Sequence, residues 1–418
     1  MRDRLRNWGR LAVVDVTPLR QVPGYRWLFA GMFFVHAGRM MTVVAAPFQI
    51  FELTDSTLAV GLLGLAQLVP LLLVSVVGGA LADAINRRRL LVISQLTLAA
   101  TASGLLWNSM ADTPMIWLIY VLVAINAGVS AIDSPARHAI LPGLVGRALL
   151  PASLALNQTL TTAAAAALPA VAGLLISTAG LPFTYGIEVV MFLIGASLMR
   201  HVPDVVTEGG GRKLELSSVT EGFRYLKGRR VIQAALLIDL NAMVFGMPTA
   251  LFPAMGTEVF GGDAFTVGLL YAAPGVGALV GAVTSGWVGS VRRQGRATVM
   301  AVIGWGVSIA VFGLTDSLTI ALIMLGFAGA ADVVSAIFRS SIIQLTAPDE
   351  MRGRMSGMHT AVVAGGPRLG DLEAGIVAEL TSIRFSVVSG GLACIIGAMV
   401  IARWAPEFFH YRYEPAVE

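Results

Sequence analysis

The chain has 418 residues, 56% of them hydrophobic and only 13% charged, with 29 Lys and Arg against 25 Asp and Glu. Its mean hydropathy of +0.77 excludes an ordinary soluble domain, in which roughly 25% of residues are charged. The formal charge of +4 does not point to nucleic acid, because no soluble basic domain is long enough to carry such binding.

A chain of this length holds about twelve membrane spans of about 20 residues with short connections. Residues 1–26 are polar and carry Arg2, Arg4, Arg6, Arg10 and Arg20, without the apolar run and small-residue cleavage site of a signal peptide. Apolar runs follow near 27–52, 58–82, 90–110, 115–136, 153–179, 183–200, 232–256, 265–289, 297–315, 318–341, 355–380 and 385–403. They predict an all-α membrane protein of twelve helices in two six-helix bundles, 27–200 and 231–403, with a linker at 201–230 and a tail at 404–418. The bases cluster at the N-terminus, 87–89, 137–147, 200–230, 292–296, 339–354 and beyond 402, all on one side if the helices alternate. The other side carries Asp112, Glu258, Asp263, Asp316, Glu379 and a single base, Arg384. This segregation predicts both termini in the cytoplasm. Trp27, Trp107, Trp117, Trp287 and Trp404 lie near span ends, as interfacial aromatics do. The lone cysteine, Cys394, forbids an internal disulfide.

Two stretches repeat. Val60-Gly61-Leu62-Leu63 opens the second span and Val267-Gly268-Leu269-Leu270 the eighth, an offset of 207 that also carries Gly79 onto Gly286 and Asp83 onto Ser290. A similar shift relates Ala139-Ile140-Leu141-Pro142 to the stretch ending Leu345-Thr346-Ala347-Pro348. Parallel repeats of six helices hold a substrate between the halves near the midplane. In the linker, Ser218-Val219-Thr220-Glu221 has capping-box spacing, and Val219, Phe223 and Leu226 predict a short amphipathic helix resting its apolar stripe on lipid.

The second span ends in Gly78-Gly79-Ala80-Leu81-Ala82-Asp83-Ala84-Ile85-Asn86-Arg87-Arg88-Arg89. Gly79, Leu81, Asp83, Arg87 and Arg88 resemble the loop signature of major facilitator superfamily transporters, with Ala84 in place of the family's Arg and Asn86 in place of its inner Gly. Asn is a good substitute where the backbone turns left-handed. The resemblance implies a gate latch made by Asp83, Arg87 and Asp133 of the fourth span. Many relatives also place an acid after the glycine of the first span, where this chain has Gly38 followed by Arg39. The whole chain looks like the superfamily's bacterial exporter branch that includes enterobactin and macrolide exporters. That likeness rests on Pro47-Phe48-Gln49, Asp55-Ser56-Thr57, Val267 to Ala273, Ser285-Gly286 and Pro348-Asp349-Glu350-Met351-Arg352-Gly353-Arg354.

Ionisable groups inside spans are costly and mark function by default. Arg39 sits midway along the first span, with His36 and Gln49 beside it, facing either a cavity or a buried acid. The eleventh span holds Pro367-Arg368-Leu369-Gly370-Asp371-Leu372-Glu373. Arg368 and Asp371, three apart, can pair on one helix face, whereas Glu373 has no local partner. Glu373 and Asp332, with Asp371 behind them, are the expected proton-coupling groups; Arg39, His36, Gln49 and Arg368 are the expected cavity groups. Asp239 and Glu188 rank lower, being nearer span ends. His36, His138, His201, His359 and His410 share no metal-ligand spacing, so no metal is expected.

No phosphate loop is present: Lys213 and Lys227 precede Leu214 and Gly228. Neither a Gly-x-Ser-x-Gly elbow nor a His-Glu-x-x-His helix occurs, which argues against an enzyme, and no cofactor is expected. The reading is a monomeric transporter driven by an ion gradient or by its substrate's own gradient; the resemblance implies proton-driven export of an amphipathic compound across the inner (plasma) membrane, with a catecholate siderophore as first choice and drug or macrolide efflux as the alternative. A non-transporting receptor or scaffold is the alternative of another class.

Overall fold

The computed structural model describes residues 15–84, 86–204 and 224–413; the side chains of 75–84, Asp349 and Glu350 lie outside that description. A few residues set the helix ends. Helix α1 (Pro23–Thr54) closes on Asp55, held at φ 48° with its N–H on the Phe51 carbonyl. An aspartate tolerates this left-handed turn, so α2 (Thr57–Ala84) starts almost at once. Helix α3 (Arg87–Ser109) begins at Asn86, whose side chain accepts from the Arg89 N–H. A single helical run then extends over Ile116–Met199, broken only at Gly146 (φ 70°) and Gly180 (φ 83°). Only glycine takes such values without strain, and the two breaks divide the run into α4 (116–145), α5 (147–179) and α6 (181–199). The stretch between the spans expected at 115–136 and 153–179 is therefore helix almost throughout, turning at Gly146.

Helix α7 (Arg230–Val259) departs from the unbroken helix expected over 232–256. Its first segment ends at Phe245, Gly246-Met247-Pro248 leaves the helix, and the backbone resumes as a 3-10 turn (Thr249–Leu251), a short α turn (Phe252–Ala254) and a wider π turn (Met255–Val259). Pro248 has no N–H and obstructs the preceding turn. Groups freed by such a break need internal partners, because lipid offers none. Trp305 Nε1 donates to the Gly246 carbonyl at 2.7 Å, Tyr271 Oη donates to the Thr249 carbonyl at 2.9 Å, and Asp371 Oδ1 accepts the Ala250 N–H at 2.9 Å.

Helices α8 (Ala264–Val283), α9 (Gln294–Leu314), α10 (Leu318–Thr346), α11 (Asp349–Leu380) and α12 (Ile383–Trp404) complete the second half. Among the described residues nine helices are long and apolar enough to cross a membrane. One of the nine is the run that forms α4, α5 and α6, and α11, kept out by its charges, completes twelve. Trp27, Trp107, Trp117, Trp287 and Trp404 are all exposed. The linker's capping box, with Val219 and Phe223, lies outside the described residues. Leu226 does not rest on lipid: it is buried in the core of the second half with Ile232 and Phe408, because the linker's end folds back onto that bundle.

The halves meet along two helix pairs, α2 with α11 and α5 with α8. Small residues allow backbone contact there. A Cβ on Gly61 would stand 2.7 Å from the Asp371 carbonyl oxygen and 3.2 Å from Gly375 Cα; one on Gly268 would stand 2.8 Å from Gly173 Cα. Gly61 and Gly268 are repeat equivalents, so the duplicated motif supplies both contacts of the seam. Both lie toward the end opposite the termini. There the Glu379 carboxylate of α11 accepts from the Leu58 N–H (3.2 Å), Ser56 Oγ (3.0 Å) and Thr57 Oγ1 (3.2 Å) at the start of α2. A carboxylate is well placed at a helix N-terminus, where free N–H groups and the helix dipole favour negative charge.

Gly268→Val should hold this end of the seam apart, since overpacking against backbone costs about 1–3 kcal/mol. The check is disulfide cross-linking of the S56C/E379C pair: its yield should fall sharply in the valine background, and an unchanged yield would refute the close-packing account.

Candidate functional site

Each half gathers buried charge around one central ion. In the first half that ion is Asp133 of α4, which is fully buried. Its Oδ2 lies 2.9 Å from Arg137 Nη1 one turn on and 3.4 Å from Arg39 Nη2 of α1, and its Oδ1 accepts from Gln95 Nε2 of α3 at 3.0 Å. Two guanidinium groups face one carboxylate, leaving a surplus of one positive charge. Arg39 carries the exposed part of it: its side chain is 20% exposed, against 7% for Arg137, and its buried Nε makes no hydrogen bond.

In the second half the signs are exchanged. Arg339 of α10, 1% exposed, lies 2.7 Å from Asp239 Oδ1 of α7 and 3.8 Å from Asp332 Oδ1, and donates to Ser335 Oγ at 2.6 Å. His359 of α11 places Nε2 3.3 Å from Asp239 Oδ2. Two carboxylates therefore face one guanidinium, a surplus of one negative charge when the imidazole is neutral. Adding 206 to Asp133 lands on Arg339, and adding it to Pro142 lands on Pro348. The two central ions thus stand at equivalent places in the repeat, with opposite charge. Burying either ion alone would cost several kcal/mol, and its partners make that burial tolerable.

The structure redistributes several sequence expectations. Asp133 is engaged by Arg39, Arg137 and Gln95, while Arg87 Nη1 donates to the Ala139 carbonyl at 2.9 Å and Arg88 pairs with Asp204 at 2.7 Å. The expected Arg87–Asp133 relay is therefore absent among the described contacts, and the side chains of Gly79 and Asp83 lie outside the description. Arg368 and Asp371 do not form their expected ion pair. Asp371 Oδ1 instead accepts from Thr249 Oγ1 at 2.5 Å and from the Ala250 N–H, capping the resumed part of α7, while Arg368 Nη1 turns back to the Ala364 carbonyl at 2.8 Å. The α7 break offers Asp371 two donors, which outcompete a guanidinium on its own helix.

Gln49 is not at a cavity surface: it is 2% exposed and accepts from Tyr185 Oη at 2.9 Å. His36 Nδ1 lies 2.8 Å from the Met32 carbonyl and Nε2 lies 3.3 Å from Thr161 Oγ1 of α5. Asp332 remains 34% exposed. Glu373 is half-buried, on the α11 stripe of exposed Leu369, Ile376 and Leu380, away from the stripe that meets α2. Glu188 and Asp239, ranked low from the sequence, are both fully buried, and Glu188 takes its hydrogen bond from Thr42 Oγ1. His359 was missed because only tertiary packing brings it to Asp239. The α7 break had a legible signal, Gly-x-Pro inside an apolar run.

Arg339→Leu should strip Asp239 of its counter-ion and destabilise the fold by about 3–5 kcal/mol, with much of the loss recovered in the double variant R339L/D239L. Thermal unfolding in detergent checks this, and an unaltered midpoint in the single variant would contradict the pairing.

The chain matches the family described as Transmembrane secretion effector over residues 14–410. It is 28% identical to the Enterobactin exporter EntS of Escherichia coli O9:H4 (strain HS) over 408 residues, covering 96% of this chain and 97% of that one. The Citrobacter koseri protein of the same description is 28% identical over 410 residues, covering 97% of both. Among solved structures, a bacterial homolog of the human lysosomal transporter Spinster in an inward-facing, unoccupied conformation has a TM-score of 0.70 at 15% identity, covering 94% of this chain and 99% of that one. A D-xylose-proton symporter has a TM-score of 0.68 at 15% identity, covering 92% and 98%; both show the shared fold. Long apolar helices in two repeated halves, a glycine-lined seam and a family match along nearly the whole chain have one meaning: this is a multi-pass membrane transporter of small molecules, not an enzyme, and it belongs to the transmembrane secretion effector family of the major facilitator superfamily.

Proposed function

We propose that the chain is a proton-coupled exporter of an anionic amphipathic small molecule, with a catecholate siderophore of the enterobactin type as first choice. The observation that carries this is the surplus positive charge around Asp133, presented by the partly exposed Arg39 on α1. A guanidinium with unused donors in a low-dielectric site is suited to an oxyanion, which it can meet through two parallel N–H groups. The relatives described as enterobactin exporters support the same choice. Proton coupling draws its support from the second half, where Asp332 is the carboxylate in excess and the most exposed member of its set. Asp371, tied to α7, acts as a helix cap, and Glu373 is a secondary candidate for proton exchange. In this reading both termini lie in the cytoplasm, by the distribution of bases, the membrane is the inner one, and a single chain is the working unit. The Glu379 contacts then seal the outer end of the seam.

Efflux of hydrophobic drugs is the second reading. One observation favours it: an apolar groove of about 650 Å³ between α3 and α6, lined by Leu106, Met110, Phe183 and Val190 among others. The groove lies on the outer face of the first half, away from the seam, which makes this the weaker reading.

Proteoliposomes loaded with enterobactin test the assignment. Arg39→Gln leaves Asp133 neutralised by Arg137, so the fold should survive, and efflux should fall at least about tenfold, the loss of about 1.4 kcal/mol. Arg39→Lys should retain more, and full activity in R39Q would sink the anion site. Asp332→Asn should leave an efflux rate that no longer responds when a proton gradient is imposed; a normal response would remove Asp332 from the coupling.

A further inference from the structure

The second-half charge set is incompletely satisfied in a particular way. Asp239 is fully buried yet shared: Arg339 approaches Oδ1 at 2.7 Å and His359 Nε2 approaches Oδ2 at 3.3 Å. Both Asp239 oxygens, Asp332 Oδ1, Arg339 Nε and His359 Nε2 are buried without a well-directed hydrogen bond. One guanidinium neutralises only one of two carboxylates, and Arg339 favours Asp239 at 2.7 Å over Asp332 at 3.8 Å. A single added proton would make the set electrically neutral.

His359 is the member placed to receive it. It lies ten residues into α11, and its side chain is 21% exposed. It also lines a recess of about 30 Å³ with Ser340, Ile343 and Gln344 of α10 and Arg352 and Ser356 of α11. That is room for a water molecule, with polar groups to hold it. The recess adjoins the ends of α10 and α11 nearest the termini. One side of the imidazole therefore meets a polar approach and the other a buried carboxylate. Imidazole is also the side chain whose ordinary titration spans the pH range in which cells hold proton gradients.

We propose that His359 is the proton-uptake site of this transporter, a role that rests on the proton-coupled reading above. A proton arriving through the recess binds the neutral imidazole, and the resulting N–H at Nε2 donates to Asp239 Oδ2. The imidazolium then shares the charge of Asp239, and Arg339 is released toward Asp332 on its own helix. Loss of the proton returns Arg339 to Asp239. No bond other than N–H forms or breaks, and the charge of the set alternates between minus one and zero. The groups placed against the imidazole are Asp239 from α7, Ser340, Ile343 and Gln344 from α10, and Arg352 and Ser356 from α11 itself, with Arg339 and Asp332 behind Asp239. Two arrangements of one guanidinium, selected by one proton, form the kind of bistable contact that biases a conformational equilibrium.

Two measurements test the assignment. In proteoliposomes with enterobactin as probe, the wild-type efflux rate should change several-fold between about pH 6 and pH 8, and H359Q should lose that dependence and vary by less than about twofold. A wild-type protein that responds to a proton gradient alongside an H359Q variant with the same pH profile would overturn the His359 proposal and leave the proton-coupled reading standing. A wild-type protein indifferent to the gradient would overturn that reading, and the proposal with it. The second measurement needs no transport. In the detergent-solubilised full chain with ¹⁵N-labelled histidine, the signal lost in H359Q, or in H359N should the first variant not fold, should titrate between about pH 5 and pH 8. A His359 signal that stays fixed across that range overturns the proposal.

Discussion

Asp133 and Arg339 impose the condition that the remaining architecture satisfies. Each is an ion carried into the interior of a six-helix bundle, and neither could remain there without countercharge from a neighbouring helix. Pairing therefore ties α1, α3 and α4 together in the first half, and α7, α10 and α11 in the second. The repeat supplies one scaffold twice, and the exchange of sign makes the copies electrostatically unlike. A surplus of positive charge suits an anion, and a surplus of negative charge suits a proton. Pairing keeps both central ions buried and leaves the two halves with opposite excess charge, the difference on which the proposed roles in anion binding and proton exchange rest.

The seam obeys another rule. Where helices of the two halves meet, polar contact is sparse and the surfaces are built from glycine, so attachment depends on close backbone approach. Contacts of this kind separate without leaving a charge stranded. Glu379 adds direction: its carboxylate binds donors that exist only because α2 starts there, so it recognises a helix end and not a particular side chain.

Much of the fold could be read from the chain. The twelve spans, the two halves and the seam glycines follow from hydropathy, the distribution of bases and a repeated Val-Gly-Leu-Leu, because a bilayer forces each of these onto the sequence locally. The charge sets could be read only in part. Arg39 and Asp332 announce themselves by lying mid-span, but their partners are 94 and 7 residues away in sequence, at Asp133 and Arg339. Arg368 and Asp371 mislead because helical spacing permits a pair that two donors from α7 pre-empt. Asp239 carries only the weak mark of an acid near a span end, and His359 none; their pairing exists only once α7, α10 and α11 pack. Helix-end arguments failed for Glu188 and Asp239 because neighbouring helices bury both completely, so that proximity to an end in sequence does not bring water.

Helix α11 has a further mechanical meaning. Over 20 residues, about 30 Å of helix, it carries His359 against one segment of α7, Asp371 against the other, and Glu379 against the start of α2. It therefore behaves as a pushrod whose travel is registered in three places at once. Pro367, lying between the first contact and the other two, is the one point along it where the backbone ladder is weakened and its two ends can be uncoupled.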